Sequence, residues 1–289
     1  MDPALRPSLR TLLILGRVSN LPTVWSNCLA GWLLGGGGAI GKLLWLGAGA
    51  TALYLGGMYL NDAFDAQFDQ QHRSERPIPS GAIRVEAVWK WGLGWLFLGL
   101  ITLCCFGRTT AILAALLAGS VLVYDAIHKI FAFSPVLMAA CRFFLILVAA
   151  SAAQGGVTGL SLWTALVLAA YIVGLSYLAR KESTMASVRY WPCLFLVAPL
   201  VLALLVNAGD YKLPGLVLSS ALALWMVRSL QFAFWSPQRN IGRSVAGLIA
   251  GIVLVDLLAV GGGGTALIAA LFVALFALAL LFQRFIPAT

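Results

Sequence analysis

Charged residues are scarce in this sequence of 289 residues. Lys, Arg, Asp and Glu together make up 10% of the chain, whereas soluble domains carry about 25%. Hydrophobic residues make up 61%, and the mean hydropathy is +0.95. So few charges cannot cover the surface of a soluble domain. The composition therefore excludes a soluble globular protein and predicts an integral membrane protein.

Histidine and cysteine are also rare, and their scarcity excludes several kinds of site. The chain has two His and five Cys, and the cysteines are scattered through apolar segments without metal-ligand spacing. An odd number of buried thiols disfavours a disulfide framework. Nucleic acid is excluded as a partner, because no segment forms a soluble basic domain despite the net charge of +9.

Long apolar runs, by contrast, occur along the whole chain. Each covers about 17 residues or more, enough to cross ~30 Å of hydrocarbon as a helix. The predicted spans are 20–38, 41–60, 86–106, 109–126, 134–154, 160–179, 189–206, 213–234, 243–260 and 264–283. The first is the weakest, because Pro22 and several polar groups occupy its opening turn. The sequence thus predicts an all-α, polytopic transmembrane bundle with nine or ten spans.

The distribution of basic residues predicts the orientation. With ten spans, fifteen of the nineteen Lys and Arg residues lie on the side of both termini, three lie on the opposite side, and Arg142 falls within a span. Such a bias places the basic side in the cytoplasm. We therefore predict a multi-pass protein of the cell inner membrane, with both termini and the active site on the cytoplasmic side. Basic loops facing anionic membrane lipid also account for the positive net charge.

One segment concentrates the acidic residues. The sequence GGMYLNDAFDAQFDQQHRSERPIPSG, residues 56–81, contains Asn61, Asp62, Asp65 and Asp69. If the second predicted helix continues past the membrane boundary, the three aspartates share one helix face, where like charges repel. Oxygen ligands without nearby His or Cys favour Mg²⁺, which is usually held by one or two carboxylates and substrate phosphates. The segment predicts a Mg²⁺ site for a phosphorylated ligand. The alternative is a solvated acidic loop paired with its flanking basic residues.

NDAFDAQFD followed by RPIPSG resembles the first aspartate motif of the UbiA superfamily of intramembrane prenyltransferases. The resemblance extends over most of the chain, including the polar RVSNLPTVWSN at 17–27 and YDAIHK at 124–129. It implies one transmembrane domain, residues 1–289, around a central cavity open to the membrane. It also implies that Mg²⁺ bound by aspartates holds the diphosphate of an isoprenoid donor, which ionises to an allylic cation that a small acceptor attacks.

The same resemblance assigns roles to residues. The implied metal-side residues are Asn61, Asp62, Asp65 and Asp69, of which Asp62 and Asp65 are also implied to be catalytic. The implied substrate-binding residues in these segments are Arg17 and Asn20, together with Arg73 and Arg76 near the diphosphate.

The second aspartate motif of the family is broken in this chain. The corresponding segment, GLSYLARKESTMAS at 174–187, offers one carboxylate, Glu182, beside Arg180 and Lys181. Either the two basic residues bind phosphate directly in place of a second ion, with Glu182 as a metal ligand, or the protein handles a different ligand. A basic loop without a site is the structural alternative. These segments resemble the EboC-like branch of the superfamily.

Further polar residues lie in two apolar segments. In YDAIHK, the family pattern implies catalytic roles for Tyr124 and Lys129, and the spacing of Asp125 and Lys129 predicts a local ion pair. His128 is a substrate-binding candidate, either as a proton acceptor or as a hydrogen-bonded neighbour. Arg142 lies about two turns into the fifth predicted helix and is a further substrate-binding candidate, because an intramembrane arginine requires a partner or a ligand.

Asp256, in GIVLVDLLAV, is predicted to make a buried polar contact, with a catalytic role as the less favoured alternative. Its position far along the chain separates it from the aspartate motif.

The sequence therefore predicts a Mg²⁺-dependent prenyltransferase that moves an isoprenoid group from its diphosphate to a small acceptor. A transporter or flippase for a prenylated or phosphorylated metabolite is the alternative. The broken second motif and the intramembrane charges favour the transporter. The grouping of charges at one membrane face favours the enzyme, because alternating access requires sites near the midplane.

Overall fold

The computed structural model describes residues 7–131, 133–184, 189–207, 209–261 and 265–288. All secondary structure in these residues is helical, which confirms the predicted all-α class. The α-helices are α1 (Leu9–Leu15), α2 (Leu21–Leu34), α3 (Ile40–Phe64), α4 (Ala66–His72), α5 (Val85–Cys104), α6 (Arg108–Ile127), α7 (Ser134–Ala152), α8 (Gly159–Thr184), α9 (Ala198–Val206), α10 (Lys212–Phe234), α11 (Ile241–Val260) and α12 (Ala266–Phe282). Short 3₁₀ helices, η1 (Val18–Asn20), η2 (Trp191–Val197) and η3 (Gly209–Tyr211), precede α2, α9 and α10.

Seven of the helices in the described part of the chain are long and apolar enough to cross a membrane, namely α3, α5, α6, α7, α8, α10 and α11. The other three predicted spans correspond to shorter apolar helices. These are α2 with 14 residues, the segment 191–206, and α12. By length and composition the chain is an integral, multi-pass membrane protein.

The prediction of one continuous helix over 189–206 is wrong. Residues 191–197 form η2, and α-helical geometry begins only at Ala198. Pro192 and Pro199 lie in this segment and have no amide N–H, and each proline ring clashes with the turn before it. A continuous ladder of α-helical hydrogen bonds therefore cannot pass through them.

The segment that leads into α2 and the segment that follows α12 meet at one end of the bundle. The hydroxyl of Ser19 donates to the carbonyl oxygen of Pro287 at 3.3 Å, and the side-chain amide of Asn20 donates to that of Ala288 at 2.9 Å. A chain that leaves and returns to one end of a bundle crosses it an even number of times. This contact agrees with ten crossings rather than nine.

Two hydrophobic clusters lie side by side and share α2 and α7. One joins these helices to α8, α10 and α11, and the other joins them to α3, α5 and α6. Because both clusters meet along α2 and α7, these two helices hold the halves of the bundle together.

Glycine allows α3 and α5 to approach closely. A Cβ atom on Gly99 of α5 would lie 2.5 Å from the amide nitrogen of Leu53 and 2.8 Å from the carbonyl oxygen of Gly49, both in α3. These are backbone atoms and cannot move aside as a side chain can. The close contact of α3 and α5 therefore depends on the missing side chain, and it sets the position of the polar end of α3.

We expect Gly99→Ala to lower the free energy of unfolding by about 1–3 kcal/mol, because the added methyl group overpacks the contact between α3 and α5. Thermal unfolding of the purified protein in detergent measures this as a lower Tm. Gly94→Ala is the matched control, since a Cβ atom there meets nothing within 4 Å. Equal Tm values for the two variants would contradict the proposed close packing.

Candidate active site

A cavity of about 400 Å³ opens between the two halves of the bundle. Its walls come chiefly from α3, α7, α8 and α11. Polar lining residues at one end are Arg17, Asn20, Asn61, Asp65, Arg73, Arg76, Tyr124, His128, Lys129, Ser134 and Arg180. Apolar lining residues include Met58, Met138, Ile172, Leu175, Val245, Ile249 and Ile252. The cavity therefore joins a highly polar end to an apolar chamber.

A turn between α3 and α4 places the aspartate motif. Helix α3 ends at Phe64, α4 begins at Ala66, and Asp65 caps both helices. The predicted continuation of the second helix is thus nearly correct, with a break at one residue. Asp62, Asp65 and Asp69 are 6%, 5% and 1% exposed. This burial rules out the alternative of a solvated acidic loop.

Arg17 reaches the motif from an uncommon backbone turn. It lies between α1 and η1 with φ 40° and ψ 50°, a left-handed conformation that non-glycine residues seldom adopt. The hydroxyl of Tyr54 donates to the carbonyl oxygen of Arg17 at 3.2 Å and supports the turn. The Nη2 atom of Arg17 then donates to Asn61 Oδ1 at 3.1 Å and to Asp62 Oδ1 at 3.3 Å.

Arg76 links two of the aspartates. Its Nη1 atom lies 3.2 Å from Asp62 Oδ1 and 3.0 Å from Asp69 Oδ2. Arg76 is fixed in the RPIPSG segment, a succession of turns after α4. The sequence predicted that a cation must lie among these carboxylates. In the structure, two arginine side chains occupy that position around Asp62.

Asp65 has its own basic partners. His128 Nε2 lies 3.4 Å from Asp65 Oδ1, and Lys129 Nζ lies 3.1 Å from Asp65 Oδ2. Burial acts to raise the pKa of Asp65, but the hydrogen bond and charge of His128 and the charge of Lys129 outweigh burial, and the net result is a lowered pKa. Asp65 is therefore an ionised acceptor at the cavity wall.

The predicted ion pair between Asp125 and Lys129 is wrong. Helix α6 ends at Ile127, so Lys129 lies beyond the last turn and turns away towards Asp65. Its ammonium group also lies 3.8 Å from the ring centroid of Phe68. Asp125 is buried and instead accepts a hydrogen bond from Asn61 Nδ2 at 3.0 Å.

His128 stacks on Tyr124, with ring centroids 4.9 Å apart, as their helical spacing predicts. Its Nδ1 atom lies 3.2 Å from the carbonyl oxygen of Tyr124, while Nε2 faces the carboxylate of Asp65. Both ring nitrogens of His128 therefore face oxygen atoms, and the ring connects the end of α6 with the aspartate motif.

The donor chemistry of the cluster fits Mg²⁺, although not as a preformed cage. Asp69 Oδ1 and Asp125 Oδ2 are buried and have no hydrogen-bond partner among the described residues. Hard oxygen atoms of this kind suit a hard cation. Within the described ranges, however, no group of three or more His, Cys, Asp or Glu residues converges to hold a metal. One Mg²⁺ held by one or two carboxylates and completed by substrate oxygens fits these residues better than the predicted multi-ligand set.

The remaining predicted site residues fall in different places. Arg73 and Arg180 line the cavity, and Arg180 Nη1 donates to the Phe131 carbonyl oxygen at 3.0 Å and to Ser134 Oγ at 3.1 Å. Lys181 is not in the lining, and its Nζ atom lies 5.8 Å from the Tyr177 ring centroid. The side chain of Glu182 lies outside the described residues.

Arg142 and Asp256 belong to one buried network that also contains Asn27. Arg142 donates to Asn27 Oδ1 at 2.7 Å, and Asn27 Nδ2 donates to Asp256 Oδ2 at 2.7 Å. This confirms the expected buried polar contact of Asp256 and supplies the partner that Arg142 required. Arg142 also lines the cavity.

Three features of the site were not predicted from the sequence. Asp125 holds Asn61, Tyr54 supports the Arg17 turn, and Ala288 near the end of the chain lines the cavity. The role of Asp125 has a recognisable signal, namely an aspartate within an apolar run. The roles of Tyr54 and Ala288 depend on contacts between distant segments, for which the local sequence carries no signal.

We expect Arg76→Ala to lower the free energy of unfolding by about 3 kcal/mol, because it leaves two buried carboxylates without their common partner. Arg84→Ala is the control, since Arg84 is exposed and forms no salt bridge within the described residues. Thermal unfolding in detergent compares the two. A Tm for Arg76→Ala equal to that of the control would show that the salt bridges of Arg76 contribute little to stability.

Comparison with known proteins agrees with the fold and the motifs. Residues 20–244 match the UbiA prenyltransferase family. A digeranylgeranylglyceryl phosphate synthase of Ignicoccus hospitalis is 37% identical over 116 residues, which cover 40% of this chain and only 37% of that relative. Little more than a third of the relative's length is therefore matched.

Solved structures share the architecture. A digeranylgeranylglyceryl phosphate synthase in membranes has a TM-score of 0.61 at 20% identity, over 88% of this chain and 98% of that one. A UbiA homologue from Archaeoglobus fulgidus bound to GPP and Mg²⁺ has a TM-score of 0.66 at 12% identity, over 93% and 99% of the two chains. At such identities the similarity establishes the fold alone. The family match spans well over half of the chain, and the protein is a member of the UbiA prenyltransferase family.

Proposed function

We propose that this protein transfers an isoprenoid group from its diphosphate to a small acceptor inside the membrane. The observation that carries the proposal is the division of one cavity into a basic and acidic end and an apolar chamber. An isoprenoid diphosphate has the same division, with a charged head and a hydrocarbon tail. GPP and Mg²⁺ bound to a structural relative agree with this choice of donor.

The diphosphate binds at the polar end of the cavity. Arg17, Arg73, Arg76, Lys129 and Arg180 bring positive charge to this end, and guanidinium groups suit the bidentate recognition of phosphate oxygens. Several of them are engaged by aspartates. On binding, the diphosphate competes for these arginine N–H groups, and the carboxylates released in this way become available to Mg²⁺.

One or two of the carboxylates of Asp62, Asp65 and Asp69 would hold Mg²⁺, which would neutralise the charge that develops on the departing diphosphate. The bond between the allylic carbon and the diphosphate oxygen breaks, and both electrons leave with the diphosphate. The nucleophile of the acceptor forms a bond to that carbon, and its proton passes to the departing diphosphate. The rings of Tyr54, Phe68 and Tyr124 line the cavity and stabilise the positive charge on the allyl group.

Arg180 replaces part of the second aspartate motif. It lies in the lining at the end of α8, and its contacts with Phe131 and Ser134 hold the guanidinium near the cavity mouth. A fixed positive charge at this point supplies what a second metal ion supplies in relatives with the intact motif. Within the superfamily, membership of the EboC-like branch stays a prediction.

The transporter is the competing function, and the arrangement of charges disfavours it. A transporter site near the midplane is reached from both sides, whereas the acidic and basic groups of this cavity gather at one end. We propose that this end faces the cytoplasm and that the protein lies in the cell inner membrane; the excess of Lys and Arg on that side of the chain supports this orientation.

We expect purified protein to release diphosphate from geranyl diphosphate in the presence of Mg²⁺ and an acceptor. Asp62→Asn and Asp65→Asn each remove a negative ligand and retain side-chain size, so each is expected to abolish this release. Glu86→Gln, at an exposed position, serves as the control and is expected to match the wild type. Full activity in either aspartate variant would end the metal-site assignment, and donor movement without cleavage would favour the transporter.

Arg180 and Lys181 provide a second test, because only Arg180 lines the cavity. We expect Arg180→Ala to weaken the binding of geranyl diphosphate by roughly 10- to 150-fold, which corresponds to the loss of about 1.5–3 kcal/mol of charge-assisted hydrogen bonding. Lys181→Ala is the neighbouring control and is expected to bind as the wild type does. Equal affinities in the two variants at saturating Mg²⁺ would contradict direct phosphate binding by Arg180.

A further inference from the structure

Arg142 is held by a polar network at the wall of the cavity. Its Nη1 atom donates to the Thr23 carbonyl oxygen at 3.2 Å and to Asn27 Oδ1 at 2.7 Å, and its Nη2 atom donates to Thr23 Oγ1 at 2.9 Å. All three acceptors belong to the first two turns of α2. The guanidinium is therefore fixed in position before any ligand arrives.

The charge of Arg142 has no carboxylate beside it. None of the salt bridges in the described residues includes Arg142. The acidic member of its network, Asp256, is fully buried and accepts hydrogen bonds from Ser26 and Asn27, not from Arg142. An arginine bonded directly to neutral groups retains a strong affinity for an anion, since a buried charge is stabilised by a direct counterion.

Part of the guanidinium is available to a ligand. Of its five N–H groups, three donate to Thr23 and Asn27, and the Nε–H and one Nη2–H have no partner among the described residues. Arg142 is a lining residue. Two N–H groups on one planar guanidinium match the two oxygen atoms of a carboxylate or a phosphate.

Arg142 lies at a different depth from the diphosphate end. Ser134, Pro135, Met138 and Arg142 line the cavity from successive turns of α7, and at about 1.5 Å per residue Arg142 is about 12 Å along the helix from Ser134. Ser134 is the residue that binds Arg180 at the polar end. Pro135 and Met138 lie between Ser134 and Arg142 in the lining, so an anion bound by Arg142 is separated along α7 from the Arg180 contact.

The same three residue types recur at the diphosphate end. Arg17 donates to Asn61 Oδ1, and Asn61 Nδ2 donates to buried Asp125. In both networks an asparagine links the arginine to a buried aspartate. The two differ in that Arg17 also contacts Asp62 directly at 3.3 Å, whereas Arg142 has no direct carboxylate partner among the described residues.

We infer that Arg142 binds an acidic group of the acceptor, a carboxylate or a phosphate, in a subsite distinct from that of the donor diphosphate. The inference rests on the proposed prenyl transfer, because it names the class of acceptor. Asn27 is a positioning residue for Arg142, and Asp256 acts through Asn27. The acceptor then presents its nucleophile towards the polar end, where the allylic carbon of the donor lies.

Binding of matched acidic and neutral probes tests this subsite without catalysis. Benzoate and benzamide are the first pair, and geranylgeranylglyceryl phosphate and geranylgeranylglycerol are the second, so that the two pairs distinguish a carboxylate from a phosphate. Tryptophan fluorescence of the detergent-solubilised protein measures each affinity, without and with geranyl diphosphate. We expect at least one acidic probe to bind the wild type more tightly than its neutral partner.

Arg142→Gln retains much of the side-chain volume and removes the charge. We expect it to weaken the preferred acidic probe by roughly 10-fold or more, with the neutral probe and geranyl diphosphate bound as before, and Arg142→Lys to recover part of the loss. Arg228→Gln, at an exposed arginine of α10 outside the cavity, is the matched control.

Several results would overturn the inference. The first is equal binding of acidic and neutral probes by the wild type. This result excludes the acidic subsite even if Arg142→Gln does not fold. Equal losses for acidic and neutral probes in Arg142→Gln would indicate a packing role, and a loss of geranyl diphosphate binding would place Arg142 in the donor site. Failure of the proposed transfer shows separately, as a wild type that binds the acidic probe but releases no diphosphate.

Discussion

The cost of burying carboxylates in an apolar bundle governs the arrangement of the polar end of this protein. Asp62, Asp65 and Asp69 are all at most 6% exposed, and such groups are stable as anions only beside cations or hydrogen-bond donors. Arg17 and Arg76 therefore converge on Asp62, while His128 and Lys129 turn to Asp65. Segments far apart in the chain are brought together by this one requirement. The result is a compact, charged surface at one end of a hydrocarbon-lined cavity.

The same interactions connect stability with function. Each arginine that neutralises an aspartate in the free protein is also a group that binds phosphate oxygens. A ligand that carries both a diphosphate and a divalent cation exchanges partners with the pairs already present and need not create new charges in the membrane interior. The Asn27 network differs from these pairs, since Arg142 forms no ion pair among the described residues and is linked to buried Asp256 through the amide of Asn27.

Much of the candidate site could be predicted because its signals are local. Four polar residues in NDAFDAQFD interrupt an apolar run, and their spacing on nearly continuous helix was enough to predict a cation among them. The salt-bridge partner of each charged side chain was less predictable. Lys129 was assigned to Asp125 by helical spacing, but α6 ends two residues earlier and Lys129 reaches Asp65. Helical spacing predicts a contact only while the helix continues. The 3₁₀ geometry of 191–197 is a similar case, in which prolines change the backbone within an apolar run.

The sequence by itself determined the helical class, the membrane environment and the family motif, because hydropathy and the spacing of aspartates are properties of short segments. It also located the arginines that require a partner. Only the tertiary structure decided which partner each one has. Arg142 meets Asn27 at a distance of 115 residues in the chain, and Asn20 meets Ala288 at a distance of 268. Such pairings depend on how packed helices orient their faces towards each other. For α3 and α5, the distance between the two helices is set by glycines that let their backbones touch.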